Sequence, residues 1–192
     1  MKMETLQNEI VRLVHIERAH IDEIYEAAHD ERIWAHTSLH LMTKTAVENY
    51  VETAIKQREA STVITFVIIN QATEKIVGAT SLFDFDNTHK RLEIGYTWLT
   101  PACWGTAINT NCKYILLAYC FERLAMNRVQ LKTDNENKRS QQAIERIGAK
   151  KEGILRNHMV RKNGTLRDTH LYSITKEEWP QVKQYFEQTL LK

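Results

Sequence analysis

The chain has 192 residues, 43% of them hydrophobic and 26% charged, with a formal charge of +2. That length suits one domain with a sizeable core, and basic residues spread along the chain leave no electrostatic footprint for nucleic acid or an anionic membrane. No stretch is apolar for long enough to span a bilayer, the opening Met1-Lys-Met-Glu-Thr-Leu6 lacks the apolar run of a leader, and the three cysteines lack CxxC spacing, so a cytoplasmic protein with buried thiols is expected.

A first short strand is expected to include Ile10 to Val14, followed by a helix carrying Ile21, Ile24, Tyr25 and Ala28. Thr45 with Glu48 reads as a capping box, and Val47, Tyr50, Val51, Ala54 and Ile55 then share one helical face. Val63 to Ile69 is a nearly continuous apolar run of strand length, and the polar turn Asn70 to Lys75 leads into a second such run, Ile76 to Phe85. Leu92, Ile94, Tyr96 and Trp98 alternate with Glu93, Gly95 and Thr97, as in the half-buried last strand of an antiparallel meander.

From Ala107 to Leu124 the set Ile108, Cys112, Ile115 and Tyr119 makes one helical face, and Leu117, Phe121 and Leu124 widen it to a helix buried on more than one side. Val129, Leu131 and Thr133 alternate on the next strand, so strand, helix and strand form a crossover and therefore a parallel pair. Asn137 or a neighbour caps a helix with Ser140, Ala143, Ile144 and Ile147 on its face, and Gly148 stops it. Asn163-Gly164 marks a hairpin between two further strands, and Lys176 to Leu190 reads as a last helix. The sum is a single α/β domain over residues 1–192 built on a mixed sheet.

Between the alternating strand and the long helix lies Leu99-Thr-Pro-Ala-Cys-Trp-Gly-Thr-Ala-Ile108. A strand that passes through a Gly-containing turn directly into a helix leaves several N–H groups unpaired at the positive end of the helix dipole, a place that holds a phosphate. The same turn is equally a tight corner in which Gly105 supplies an allowed conformation. Asn137 and Ser140 have a local reading too, as helix cap and first-turn residue.

In order and spacing, the strand Glu93-Ile-Gly-Tyr-Thr-Trp-Leu-Thr-Pro101, the turn Trp104-Gly-Thr-Ala107, Asn137-Lys-Arg-Ser140, Ile144-Glu-Arg-Ile-Gly148 and Glu152-Gly-Ile-Leu-Arg156 resemble the GNAT acetyltransferases, within them the RimJ/RimL-like branch of ribosomal-protein N-terminal acetyltransferases. The resemblance implies a mostly antiparallel sheet with one splayed parallel pair, flanked by helices, and acetyl-CoA as cosubstrate without a metal. It implies that the strand edge at Trp98, Leu99 and Thr100 pairs with the pantetheine arm as an added strand would. The turn amides of Trp104, Gly105, Thr106 and Ala107 would hold the pyrophosphate, Asn137 would contact the pantetheine, and Ser140 would approach the thiol sulfur as an acid. The usual Q/R-x-x-G-x-G/A pattern is broken at Ala102, where Gln or Arg is common, while Ala107 fills the permissive last place; the break removes a side chain and leaves the amides.

The implied reaction is direct acetyl transfer to a primary amine, a protein N-terminus being one acceptor and a small amine or antibiotic another; a CoA-binding regulatory protein without turnover is the alternative from a different class. An alkyl amine is mostly protonated near neutral pH and needs a base. Glu93 is the first choice, its other reading being a residue on the solvent face of its strand, and Glu152 is the second. His158 is placed to aim at an acceptor channel, its other reading being a surface or packing residue, and Trp34 is read as an acceptor wall, with core as the alternative. His36 and His40 have helical spacing without an HExxH pattern, so no metal is assigned. Cys103, Cys112 and Cys120 read as packing residues. The chain is compatible with a monomer or a homodimer.

Overall fold

The computed structural model describes residues 5–192, so the reading of the opening residues as leaderless falls partly outside the described residues. Eight strands, Leu6–Gln7 (β1), Val11–His15 (β2), Val63–Asn70 (β3), Lys75–Asp86 (β4), Arg91–Leu99 (β5), Arg128–Asp134 (β6), Lys150–Val160 (β7) and Leu166–Thr175 (β8), form one sheet in the order β1-β2-β3-β4-β5-β6-β8-β7. Its flanking helices are Ile21–Ala28 (α1), Lys44–Glu59 (α2), Ala107–Ala118 (α3), Lys138–Arg146 (α4) and Trp179–Tyr185 (α5). Among the described residues no helix is long and apolar enough to cross a membrane.

Alternation along the strands sends apolar side chains to both faces, and each face has its own core. Val67, Ile69, Ile76, Ala79 and Trp98 pack under α1 and α2, against Ile24, Ala28, Val47 and Val51. Leu82, Leu92, Ile94, Val129, Leu131 and Tyr172 pack on the other face under α3, α4 and α5. The α3 segment is buried on several sides, as its all-round apolar pattern requires, with Ile108, Cys112, Ile115, Leu116 and Leu117 all inside. The three cysteines are unbridged and buried, and burial pushes the Cys112 thiol up to about 11.

One junction departs from the antiparallel rule and positions everything that follows. The crossover through α3 makes β5 and β6 parallel, and they stay in register only at Arg91–Arg128, Leu92–Val129 and Glu93–Gln130. Beyond Glu93 the two strands separate. On its other side β5 is bulged against β4 between Ala79 and Ser81, beside Tyr96 at φ 49. Close approach there demands glycine at position 78, where a Cβ would lie 2.1 Å from the Trp98 carbonyl oxygen.

Several boundaries differ from the sequence pattern. The cap of α2 is Thr43, extended at φ −128 and ψ 150 and accepting from the Ala46 N–H at 3.2 Å; Thr45 already lies in the first turn, so the Thr45–Glu48 capping box is not formed. The last helix begins at Trp179, not Lys176, because Pro180 lacks an N–H and belongs in a first turn. The long helix passes into a wider turn at Tyr119–Arg123. The Asn163-Gly164 turn joins β7 to β8, with Gly164 at φ 80. The β7 strand, at the sheet edge, is almost wholly exposed.

Candidate active site

The separation of β5 from β6 opens a cleft of about 710 Å³. The first turn of α3 and the face of α4 bound one end of it; the segment from His36 to Leu39, Tyr96 and β7 bound the other. Lys162, on the β7–β8 hairpin, donates to the Leu39 carbonyl at 2.8 Å and ties the far rim together.

At the α3 end the chain turns through Pro101–Cys103, extends at Trp104, takes a positive φ of 73 at Gly105 and enters the helix at Thr106. Thr106 is a true N-cap: its hydroxyl donates to the Cys103 carbonyl at 2.8 Å and accepts from the Ile108 N–H at 3.4 Å. Among the described residues the N–H groups of Gly105 and Ala107 have no partner, whereas the Trp104 N–H is spent inside the turn on the Pro101 carbonyl at 3.0 Å. The Thr106 N–H likewise donates to the Cys103 carbonyl at 3.4 Å, so the implied cradle is shorter by two donors. A Cβ on Gly105 would meet no atom within 4 Å, so the backbone stands open to the cleft.

Cations that no sequence motif announces supplement this end. The Arg139 guanidinium lies 3.6 Å from the Trp104 ring centroid, and Arg146 donates to the Thr110 hydroxyl at 2.7 Å. Lys113 is buried on the cleft wall with the Thr97 hydroxyl as its hydrogen-bond partner at 2.7 Å, and burial lowers its ammonium from the ordinary lysine value. Their signal in the sequence is only that α3 and α4 carry basic residues on the side facing the turn, which becomes visible once the crossover brings the two helices together.

The edge of β5 open to the cleft runs from Ile94 to Leu99, since pairing with β6 stops at Glu93. Two groups named from sequence are used internally. The Leu99 carbonyl accepts from the Trp104 indole at 2.8 Å, and the Thr100 N–H donates to the Val77 carbonyl at 2.8 Å, so Thr100 belongs to the β4 side and is not a cleft residue. Trp98 bounds the cleft while its ring packs in the core against Trp34 at 5.4 Å. Trp34 is core and not an acceptor wall: it is 3% exposed, and its indole N–H donates to the Ala28 carbonyl at 3.1 Å. The neighbouring Ile33 and His36 reach the cleft instead.

Glu93 does not lie on a solvent face. It is 4% exposed, where β5 and β6 part, and its carboxylate accepts from Lys132 Nζ at 2.8 Å and Gln130 Nε2 at 3.0 Å. Glu152 lies outside the cleft, clasped by both Arg128 Nη2 and the Ser173 hydroxyl, so the second candidate base is a structural residue. Asn137 Oδ1 accepts from the Ser140 N–H at 3.0 Å, which makes it the α4 cap, and its Nδ2 has no partner among the described residues. Ser140 is half-buried at the cleft and its hydroxyl is likewise unpaired among them. His158 reaches the cleft from β7 with Nδ1 3.2 Å from the Thr169 hydroxyl. His40 turns away to Glu31 at 2.9 Å, and no cluster of three or more metal-ligating side chains gathers among the described residues.

Residues 11–150 match the family described as Acetyltransferase (GNAT) domain. YdaF of Bacillus subtilis, by its name a candidate ribosomal N-acetyltransferase, is 36% identical over 104 residues, 54% of this chain and 56% of that protein. The chain spans 56%, 58% and 63% of the length of the curated relatives it matches. A GCN5-related N-acetyltransferase from Brucella melitensis superposes with a TM-score of 0.90 at 28% identity, over 99% of this chain and 86% of that one. RimJ of Mycobacterium smegmatis, solved with CoA-disulfide, has the same fold at 19% identity with a TM-score of 0.82, over 97% and 93%.

Proposed function

The chain belongs to the GNAT acetyltransferase family, and we propose that it transfers an acetyl group from acetyl-CoA directly to a primary amine, a protein N-terminal amine being the acceptor that the likeness to YdaF favours. The observation that carries this reading is the three-pair parallel junction of β5 and β6, which opens one cleft with free amides at one end and a buried carboxylate in its floor.

The residues present fit the cosubstrate. Gly105 and Ala107 N–H groups, with Arg139 and Arg146 beside them, would hold the pyrophosphate. The β5 edge and Asn137 Nδ2 would hold the amide-bearing arm. Bound acetyl-CoA supplies a thioester: a nitrogen–carbon bond forms, the carbon–sulfur bond breaks, and the thiol leaves with a proton.

The chain's own residues handle the protons. Glu93, fixed by Lys132 and Gln130, takes the proton that the ammonium must lose before its nitrogen can attack. The unpaired Ser140 hydroxyl gives a proton to the departing sulfur and regains one from the attacking nitrogen, which sheds its second proton as the amide forms. The buried cysteines reach no reacting group. Much of the acceleration then comes from holding amine and thioester side by side.

The test is release of free CoA thiol when acetyl-CoA meets N-terminal peptides or small amines. CoA is expected to raise the melting temperature, since a ligand of the native state stabilises it, and an amine is expected to trigger thiol release. Tight CoA binding with no turnover on any amine would convert the reading to a regulatory binder. No thermal shift would end both.

A further inference from the structure

One charged group in the cleft has no use in the reaction as described. Strand alternation puts Gln130, Lys132 and Asp134 on one face of β6, beside Glu93 of β5. Asp134 is registered with Thr169 of β8, so Arg167, two residues before Thr169, shares that face; across the sheet edge it is registered with Met159 of β7. Arg167, His158 and Met159 all bound the cleft at the end remote from the α3 turn.

The carboxylates around Arg167 are committed elsewhere. Asp134 receives Arg161 Nε and Nη2, both at 2.8 Å, and the Glu136 N–H at 2.9 Å. Arg167 Nε lies 3.8 Å from Asp134 Oδ2, beyond hydrogen-bond reach, and is buried with no hydrogen-bond partner among the described residues. Glu93 is held by Lys132. Three cations, Lys132, Arg161 and Arg167, thus meet two buried carboxylates, and Arg167 is left with a 3.8 Å ion pair to the already engaged Asp134 and no hydrogen bond at Nε. A buried guanidinium N–H left without a hydrogen bond is costly, and the planar fork matches a carboxylate. Burial, the larger effect, and the nearby Arg161 lower its proton affinity, against the pull of Asp134 and Glu93.

We infer that Arg167 docks a carboxylate of the acceptor, so that the acetylated amine belongs to a molecule carrying an acid group near its nitrogen. This rests on the transferase reading for the amine and on Arg167's own geometry for the acid. A free amino acid and a peptide with an acidic residue near its N-terminus present the same chemistry.

The experiment compares matched acceptors that differ only in the acid: a free amino acid against its carboxamide, and a peptide with Asp at its second position against one with Asn. At least one acidic member is expected to exceed its neutral twin in kcat/KM by about 10- to 100-fold, through KM; which pair responds identifies the source. Arg167→Met is expected to erase the preference while neutral acceptors keep their rates, and Arg167→Lys to restore part of it. Equal rates within both wild-type pairs, or a preference that survives in a folded Arg167→Met, overturns the inference. Calorimetry of the same amines on the CoA-loaded protein separates the two readings. Acid-selective binding lost in the variant supports Arg167 even without turnover and then ends the transfer reading; binding blind to the acid ends the Arg167 inference while thiol release still decides transfer.

Discussion

The two ends of the cleft are built from different materials. At the α3 end the donors are the main-chain N–H groups of Gly105 and Ala107, set by the corner's path, with Arg139 and Arg146 laid over it from the side. At the far end nearly everything is a charged side chain in a specified pairing, Glu93 with Lys132 and Asp134 with Arg161. A backbone cradle asks for a conformation and tolerates substitution, which is why Ala102 can stand where a long polar side chain is common. A side-chain cluster asks for identities, and one exchange leaves a buried charge without its partner.

The hardest blow to the far end is Glu93→Gln. Removing the proton acceptor is expected to lower kcat by about 10²- to 10⁴-fold, while CoA still raises the melting temperature, because no group of the α3 turn is touched. Steady-state rates with saturating amine, alongside thermal shifts, check it. An unchanged kcat would move the base elsewhere and erase the division between the ends.

The converse blow is Gly105→Val. With φ at 73, a β-branched residue is forced out of the left-handed region at roughly 1–2 kcal/mol, redirecting the free amides and weakening CoA about tenfold or more. The fold is expected to survive, since a Cβ there meets nothing within 4 Å. Calorimetric titration with CoA is the measurement. Unaltered affinity would show that the cations rather than the amides carry the pyrophosphate.

This contrast also explains what the sequence made legible. The corner around Gly105, the α4 cap at Asn137, the antiparallel meander and the parallel crossover pair were readable because each is a local or periodic signal, whereas the placement of β8 between β6 and β7 is a long-range pairing that no local signal announced. The Lys132–Glu93 pair, Arg139 over Trp104 and Arg167 with its Nε lacking a hydrogen bond are products of distant strands and helices meeting, with sequence separations that no motif spans. Trp34 shows the same limit from the other side. Its position between α1 and α2 suited an acceptor wall, with core as the other reading, and only the closure of Trp98 beneath it, with Ala28 taking its indole N–H, settled it as core. Thr43 rather than Thr45 caps α2 because extended backbone at the cap position decides, and composition does not report φ and ψ.

The smallest expected effect comes from a carboxylate outside both ends. Hydrogen bonds from Arg128 hold Glu152 below the ordinary glutamate value, against burial, with help from the Ser173 hydroxyl. A carboxyl with a depressed folded-state value contributes stability above its unfolded value, near 4.3, and loses it as pH falls through the folded value. The contribution is discounted because both partners are partly exposed, at 26% and 36%, leaving about 1 kcal/mol or less. Glu152→Gln is therefore expected to lower the melting temperature slightly at pH 7, and the gap from wild type to close as the pH is taken below 4. Acetyl transfer should be unaffected, since Glu152 touches neither end of the cleft. A fall in kcat comparable to that of Glu93→Gln would show that acid and base work is shared across β6 to β8, and that the boundary between scaffold and site lies elsewhere.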